Sequence, residues 1–105
     1  MTINFPDKLL AELKDLSVAS DIEIVGFIDK KNQFHQKKNI HPDSKDYFLI
    51  NPKEYTSLDD LVLFHSHPKH IDLKGFSDWD LENQKWSCLP MLLYSVNNNE
   101  FYFKS

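Results

Sequence analysis

The chain of 105 residues is poor in cysteine and glycine and has no long apolar run. A single cysteine, Cys88, cannot form an internal disulfide, which favours a reducing compartment. No stretch approaches the ~20 apolar residues that a membrane-spanning helix requires, and residues 1–6 contain no basic cluster of the kind that begins a signal peptide. These absences predict a soluble protein of the cytoplasm. Cys88 precedes an apolar segment, and we expect it to be a buried structural residue.

Positive charge is also scarce, because 12 Lys and Arg face 16 Asp and Glu, which gives a formal net charge of −4. A surface that binds DNA or RNA needs clustered Lys and Arg, so this balance argues against a nucleic-acid partner. The one basic cluster brackets a predicted hairpin, and we interpret it as solvated strand ends. It consists of Lys30, Lys31, Lys37 and Lys38.

The length and composition fit one compact domain over residues 1–105. Helical spacing of apolar residues predicts an amphipathic helix over residues 6–18, and a second helix is expected over residues 77–86. A short helix is expected to begin at Pro52, with Asn51 as its cap. The predicted strands are residues 21–28, 33–38, 47–50, 61–67, 90–96 and 100–104. This order predicts an α/β fold in which a mixed β-sheet is flanked by helices.

Two of these strands are apolar on both faces, which is typical of strands in the interior of a sheet. They are residues 21–28 and 61–67. In the first strand, Glu23 shares a face with Val25 and Phe27. Burying a carboxylate on such a face is costly unless the group has a partner. We therefore expect Glu23 to have a specific role.

The second of these strands ends in His65-Ser66-His67-Pro68. Residues two apart in a strand project to the same face, so both imidazoles can approach one metal ion. Asp80 lies in the first turn of the helix that Ser77 begins, and its side chain can point back towards the strand end. Two His and one Asp would leave one open position on a tetrahedral zinc ion, which is typical of a catalytic site. Zinc lowers the pKa of a bound water to about 7.

Hydrolysis also needs a group that takes a proton from the water and returns it to the leaving amine, and Glu23 is the candidate. Each feature has a simpler interpretation when it stands alone. A His-x-His pair can be exposed, Ser77-x-x-Asp80 is close to a capping box, and Glu23 could lie on an edge strand. The combination favours a catalytic zinc site, and the capping box is compatible with it.

The ordered motifs resemble the JAMM metalloproteases, also called the JAB or MPN+ domain family. The resemblance rests on Glu23, on His65-Ser66-His67-Pro68 and on Ser77-Asp78-Trp79-Asp80. It extends to residues 39–48 and 89–95, so it covers nearly the whole chain. The short length is similar to compact bacterial and phage members, such as the N-terminal domain of phage tail assembly protein K. Many members have Cys where this chain has Val25, and the loop of residues 69–76 is slightly longer than usual.

The resemblance implies a cytidine-deaminase-like three-layer fold and hydrolysis of a peptide or isopeptide bond. It implies that His65, His67 and Asp80 bind Zn²⁺, that Glu23 is the general acid/base, and that Ser77 stabilises the oxyanion. The implied substrate is a protein or peptide, with a ubiquitin-like protein, a sulfur carrier and a phage tail protein as the alternatives. A phage-encoded member would act in the host cytoplasm or on the virion.

Other functions remain as alternatives at this point. The chain could be a non-catalytic MPN scaffold or a module for tail assembly. A nucleobase deaminase would need a Pro-Cys-x-x-Cys pair, which a chain with one cysteine lacks. Of the other histidines, His70 is a candidate for an extra ligand or a substrate contact. His35 and His41 are expected in solvated strand or loop positions, and we favour the same interpretation for His70.

Overall fold

A mixed five-stranded sheet with two α-helices forms the part of the chain that the computed structural model describes, residues 5–55 and 61–105. Residues 1–4 and 56–60 of the predicted domain lie outside the described residues. Within the described ranges, no helix is both long and apolar enough to cross a membrane. The elements are α1 (Asp7–Val18), β1 (Val25–Ile28), β2 (Phe34–Lys37), a 3₁₀ turn (Pro52–Glu54), β3 (Val62–His67), α2 (Asp78–Ser87), β4 (Met91–Ser95) and β5 (Glu100–Lys104).

The strand order across the sheet is β2-β1-β3-β4-β5. β1 pairs antiparallel with both β2 and β3, and β4 pairs antiparallel with β5. β3 and β4 are parallel, with α2 as the crossover between them, as a parallel pair requires. Every residue of β1, β3 and β4 is buried, which confirms that the strands with two apolar faces are interior. The predicted mixed sheet with helices is confirmed at this level.

The two helices contact opposite faces of the sheet. Leu9 and Leu13 of α1 pack in one core cluster with Phe64 and Tyr94. Trp79 of α2 packs against a second cluster, which contains Val25, Phe27, Phe48, Ile50, Leu63, Leu89 and Met91. Successive residues of β3 alternate between the two clusters, as the strand period of two requires. The metal-ligand candidates therefore project to the face that carries α2.

One predicted strand is absent and another is shorter. Residues 47–50 alternate in burial like a strand, with Phe48 and Ile50 inside. However, Leu49 receives a hydrogen bond from the loop residue Ile40 and donates its own N–H to the side chain of Asn39, so no ladder forms. The strand predicted over residues 21–28 begins only at Val25. Before Val25, the N–H of Glu23 donates to the carbonyl of Ser44 in a loop, and the N–H of Ile24 donates to the Ser66 hydroxyl, so neither joins a regular ladder.

The prediction of a buried cysteine is wrong. Cys88 is exposed and follows α2 with a φ of 59°. Its N–H donates to the carbonyl of Gln84, which closes the helix with a left-handed residue, a position that usually belongs to Gly or Asn. Because the chain reverses at this point, Leu89 enters the core in its place.

Candidate metal centre

The end of β3 presents both predicted histidine ligands to one point. His65 and His67 are 0% and 1% exposed and share a face of the strand. The Nε2 atom of each ring lies 3.0 Å from the same oxygen, Oδ2 of Asp80. The structure therefore brings together the three residues that the spacing of the motifs predicted as ligands.

The start of α2 fixes the position of Asp80 through a capping box. The Ser77 hydroxyl accepts a hydrogen bond from the Asp80 N–H at 3.1 Å, and the Ser77 N–H donates to Asp80 Oδ2 at 2.9 Å. These two bonds satisfy N–H groups that a helix start otherwise leaves without partners. They also hold the Asp80 carboxylate over the helix start, where it meets the histidines. The capping and ligand interpretations of the Ser-x-x-Asp motif are thus compatible.

Glu23 reaches the same point from the segment just before β1. Its backbone is anchored on both sides, because its N–H donates to the Ser44 carbonyl at 2.8 Å and its carbonyl accepts from Asn39 Nδ2 at 3.0 Å. The residue is 1% exposed, and its Oε1 atom has no hydrogen-bond partner among the described residues. A buried oxygen without a partner is costly, which points to a group that the polypeptide itself does not supply.

Ser66 has a structural role that the sequence analysis did not assign. Its hydroxyl accepts from the Ile24 N–H at 2.9 Å, and its own N–H donates to the Ile24 carbonyl at 2.9 Å. These bonds join the segment that carries Glu23 to the strand that carries the histidines. The signal in the sequence was the alternation of the strand, since Ser66 must point away from its two neighbours and towards an apolar core where a hydroxyl needs a partner.

The four side chains have the spacing of a ligand set. One donor atom from each of Glu23, His65, His67 and Asp80 lies within 4.8 Å of all the others. Ligands at zinc–nitrogen and zinc–oxygen distances of about 2.0–2.1 Å stand about 3.3 Å apart around a tetrahedral ion. The 3.0 Å distances from Asp80 Oδ2 to the Nε2 atoms of His65 and His67 are close to this spacing. This buried group could hold a metal ion.

The charges of the site also favour a cation. Burial raises the pKa of Glu23 to about 10, and the carboxylates of Asp80, Asp46 and Asp43 add to the effect in that order. Two carboxylates this close cannot both ionise easily without a positive charge between them. Burial alone would also raise the pKa of Asp80, but the charges and close contacts of His65 and His67 lower it below its ordinary value. A divalent cation would balance the two carboxylates.

An aromatic wall borders the site and was not predicted as part of it. The Phe48 ring lies 4.7 Å from the His65 ring at 33°, and the Phe48 carbonyl accepts from Trp79 Nε1 at 2.8 Å. Outside this layer, His41 and Tyr47 contact the Trp79 ring at 5.2 and 5.7 Å. The wall keeps the His65 ring in one orientation. Within the described residues, the Nδ1 atoms of His65 and His67 have no hydrogen-bond partner.

The remaining histidines do not join the metal group. His70 Nε2 lies 2.9 Å from Asp46 Oδ1, and His35 Nε2 lies 2.8 Å from Asp29 Oδ2, with both rings exposed. The half-buried His41 accepts a hydrogen bond from the Asp43 N–H. These positions agree with the interpretation of His70 and His35 as solvated residues.

Replacing Ser77 tests its role as the cap of α2. Ser77→Ala is expected to lower the free energy of unfolding of the metal-free protein by about 1 kcal/mol, because it removes the acceptor for the Asp80 N–H. Ser77→Thr keeps a hydroxyl acceptor at the cap and should retain most of the stability of the wild type. Urea unfolding of both variants is the measurement. Equal stability of Ser77→Ala and wild type would contradict the role of the cap.

Four buried side chains from β3, α2 and the segment before β1 thus lie close enough together to hold a metal ion. The three metal-ligand candidates come from one β-α-β unit, and Glu23 comes from outside it. The chain matches no protein-family model, no curated protein and no solved structure.

Proposed function

We propose that this chain is a zinc-dependent metallopeptidase of the JAMM type that hydrolyses a peptide or isopeptide bond. The observation that carries the proposal is the convergence of Glu23, His65, His67 and Asp80 in one buried group. In the proposed site His65, His67 and Asp80 hold the metal and Glu23 is the general acid/base. The order of these residues along the chain is the order of the JAMM motifs.

The donor set supports zinc as the metal. Two imidazole nitrogens with one carboxylate oxygen suit zinc, whereas magnesium and calcium prefer oxygen ligands throughout. When bound, zinc would supply Lewis acidity and an activated water at neutral pH. The two acidic side chains of the group match the charge of a divalent ion.

Two side chains would handle protons and charge during the reaction. The Oε1 atom of Glu23 has no partner within residues 5–55 and 61–105, so it is available to take a proton from water and to return it to the leaving amine. The Ser77 hydroxyl uses its oxygen as an acceptor in the cap, and its proton remains free to bond a developing oxyanion. Both roles require that the scissile carbonyl lie between these residues.

The proposal includes the cytidine-deaminase-like three-layer fold. The packing of α1 on one face of the sheet and of Trp79 from α2 on the other supports this arrangement. The substrate is proposed as a protein or peptide, with ubiquitin-like, sulfur-carrier and phage tail proteins as the classes to test. The exposed aromatic side chain of Tyr47, which contacts the Trp79 ring, offers a contact surface for such a chain.

A non-catalytic scaffold is the second candidate, and burial favours it. All four side chains of the group are 0–1% exposed, and closed sites are typical of structural zinc. In that case Glu23 would be a fourth ligand, and the metal would stabilise a small domain that takes part in an assembly.

Metal analysis combined with cleavage assays tests the proposal. We expect about one zinc per chain and chelator-sensitive cleavage of at least one member of a panel of ubiquitin-like fusions, tail proteins and peptides. Cobalt substitution would report an open coordination position. A chain that holds zinc with four protein ligands and cleaves nothing would favour the scaffold. A chain that binds no zinc would contradict both candidates.

A further inference from the structure

The loop of residues 68–77 connects two of the proposed metal ligands, His67 and Asp80. It joins His67, the last residue of β3, to Ser77, the cap of the helix that carries Asp80. His67 and Asp80 are 13 residues apart in sequence, and their ligand atoms lie 3.0 Å apart. A flexible connection of this length would spend much of its time in conformations in which the two residues are separated.

Two side chains from the β4–β5 turn hold this loop by its backbone. Asn97 Nδ2 donates to the carbonyl of Lys69 at 2.9 Å, and Asn98 Nδ2 donates to the carbonyl of Leu73 at 3.1 Å. Both asparagines lie between the predicted strands of residues 90–96 and 100–104. The two bonds lie four residues apart on the loop, so together they fix its direction as well as its position.

The asparagines are themselves tied to the strand that carries the histidines. Ser95 is the ladder partner of His67, and its buried hydroxyl accepts from the backbone N–H and the side-chain amide of Asn98 at 3.2 and 3.1 Å. The N–H of Val96 donates to the His67 carbonyl at 3.0 Å. The turn thus forms a hydrogen-bonded link between the end of β3 and the loop that leads to Asp80.

We propose that Asn97 and Asn98 are positioning residues for the metal centre, which hold the loop so that Asp80 meets His65 and His67. The proposal rests on the metal site of the proposed function. Neither asparagine belongs to the ligand group. Their effect is to remove loop conformations that compete with metal binding, as outer-shell residues do when they orient ligands.

A set of aspartate variants provides the test. Asn97→Asp and Asn98→Asp keep the shape of the side chain and lose the N–H donor. Asn99→Asp is the matched control, because it introduces the same charge in the same turn. The Asn99 Oδ1 atom accepts from the Tyr94 hydroxyl at 2.6 Å, and an aspartate can still accept that bond. Added negative charge near the site would attract zinc, so a weaker affinity cannot arise from charge.

The readouts are zinc affinity by chelator competition and the visible spectrum of the cobalt-loaded protein. The double variant Asn97→Asp/Asn98→Asp is expected to bind zinc on the order of 25-fold more weakly, the product of two single losses. Its cobalt spectrum should shift, whereas Asn99→Asp should stay within about twofold of the wild type. Each single variant is expected to lose about fivefold, so the test stands if the double variant does not fold. Urea unfolding of the metal-free single variants checks that the fold is intact.

Unchanged zinc affinity and an unchanged cobalt spectrum in the folded single variants would overturn the positioning role and leave the proposed function standing. An equal loss in Asn99→Asp would also overturn it, because the effect would then belong to the turn as a whole. If the wild-type chain binds no zinc, the positioning role and the proposed function both fail.

Discussion

Replacing Asp80 with Asn is expected to weaken zinc binding on the order of a thousandfold. The Asp80 Oδ2 atom lies 3.0 Å from the Nε2 atoms of both histidines, so it would complete the proposed ligand set. An amide is a poor ligand, and it carries no charge to offset that of the ion. Structural zinc sites with four ligands bind with about 10–16 kcal/mol, which corresponds to about 2.5–4 kcal/mol for each ligand, and the upper value is about a thousandfold in affinity. Chelator competition on the purified variant is the measurement.

Asp78→Asn is the matched control for this variant. Asp78 lies in the first turn of the same helix, carries the same charge and is exposed. Its replacement has the same effect on the charge near the helix start but removes no ligand, so we expect zinc binding close to that of the wild type. If Asp80→Asn binds zinc as tightly as Asp78→Asn does, Asp80 is not a ligand and the proposed centre is incorrect.

Glu23→Gln is expected to keep zinc and to lose catalysis by about a factor of 100 to 10,000, the usual contribution of a general acid/base. Glutamine has nearly the same shape but cannot take a proton from water. Zinc content and initial rates on any substrate found in the cleavage panel are the measurements, with Glu12→Gln on the exposed face of α1 as the control. Loss of zinc from Glu23→Gln would instead identify Glu23 as a fourth ligand and favour the scaffold.

The same variant should stabilise the metal-free protein near neutral pH. Burial raises the pKa of Glu23 from its ordinary 4.5 to about 10, with a further contribution from the charge of Asp80. The folded chain therefore keeps a proton that the unfolded chain releases. The stability that this proton provides is fully present below pH 4.5 and is lost as the pH rises towards 10.

Glutamine has no such dependence, so the variant should exceed the wild type by about 3 kcal/mol in free energy of unfolding at pH 7. Urea unfolding in the presence of a chelator, at several values between pH 5 and 8, measures the difference. The difference should grow with pH. A constant difference across this range would mean that Glu23 ionises normally inside the folded protein.

The spacing of apolar residues along the chain predicted the helices and strands in which the backbone hydrogen bonds follow a regular pattern. The predicted strands of residues 21–28 and 61–67 are apolar on both faces, and the interior positions of β1 and β3 follow from this pattern. The Ser77 cap is a local signal, since both partners of its hydrogen bonds lie within one helical turn. The alternation of β3 placed His65 and His67 on one face in the same way.

Features that depend on distant partners were not predictable in this way. Residues 47–50 alternate like a strand, but Asn39 and Ile40 take the hydrogen bonds that a neighbouring strand would need. The contact of Phe48 with the His65 ring arises from that same loop and has no signal in the local sequence. The exposure of Cys88 depends on a left-handed backbone that a non-glycine residue seldom adopts.

The positions of the site residues along the chain bear on how the proposed activity could be lost or gained in evolution. His65, His67 and Asp80 all belong to the unit formed by β3, α2 and β4, whereas Glu23 lies in the N-terminal part of the chain. Under the proposed function, metal binding and proton transfer are therefore encoded in separate stretches of the gene. A single substitution at Glu23 would then remove catalysis and leave a domain that a bound metal ion still stabilises. The opposite substitution would give catalysis to a domain that had only bound the ion.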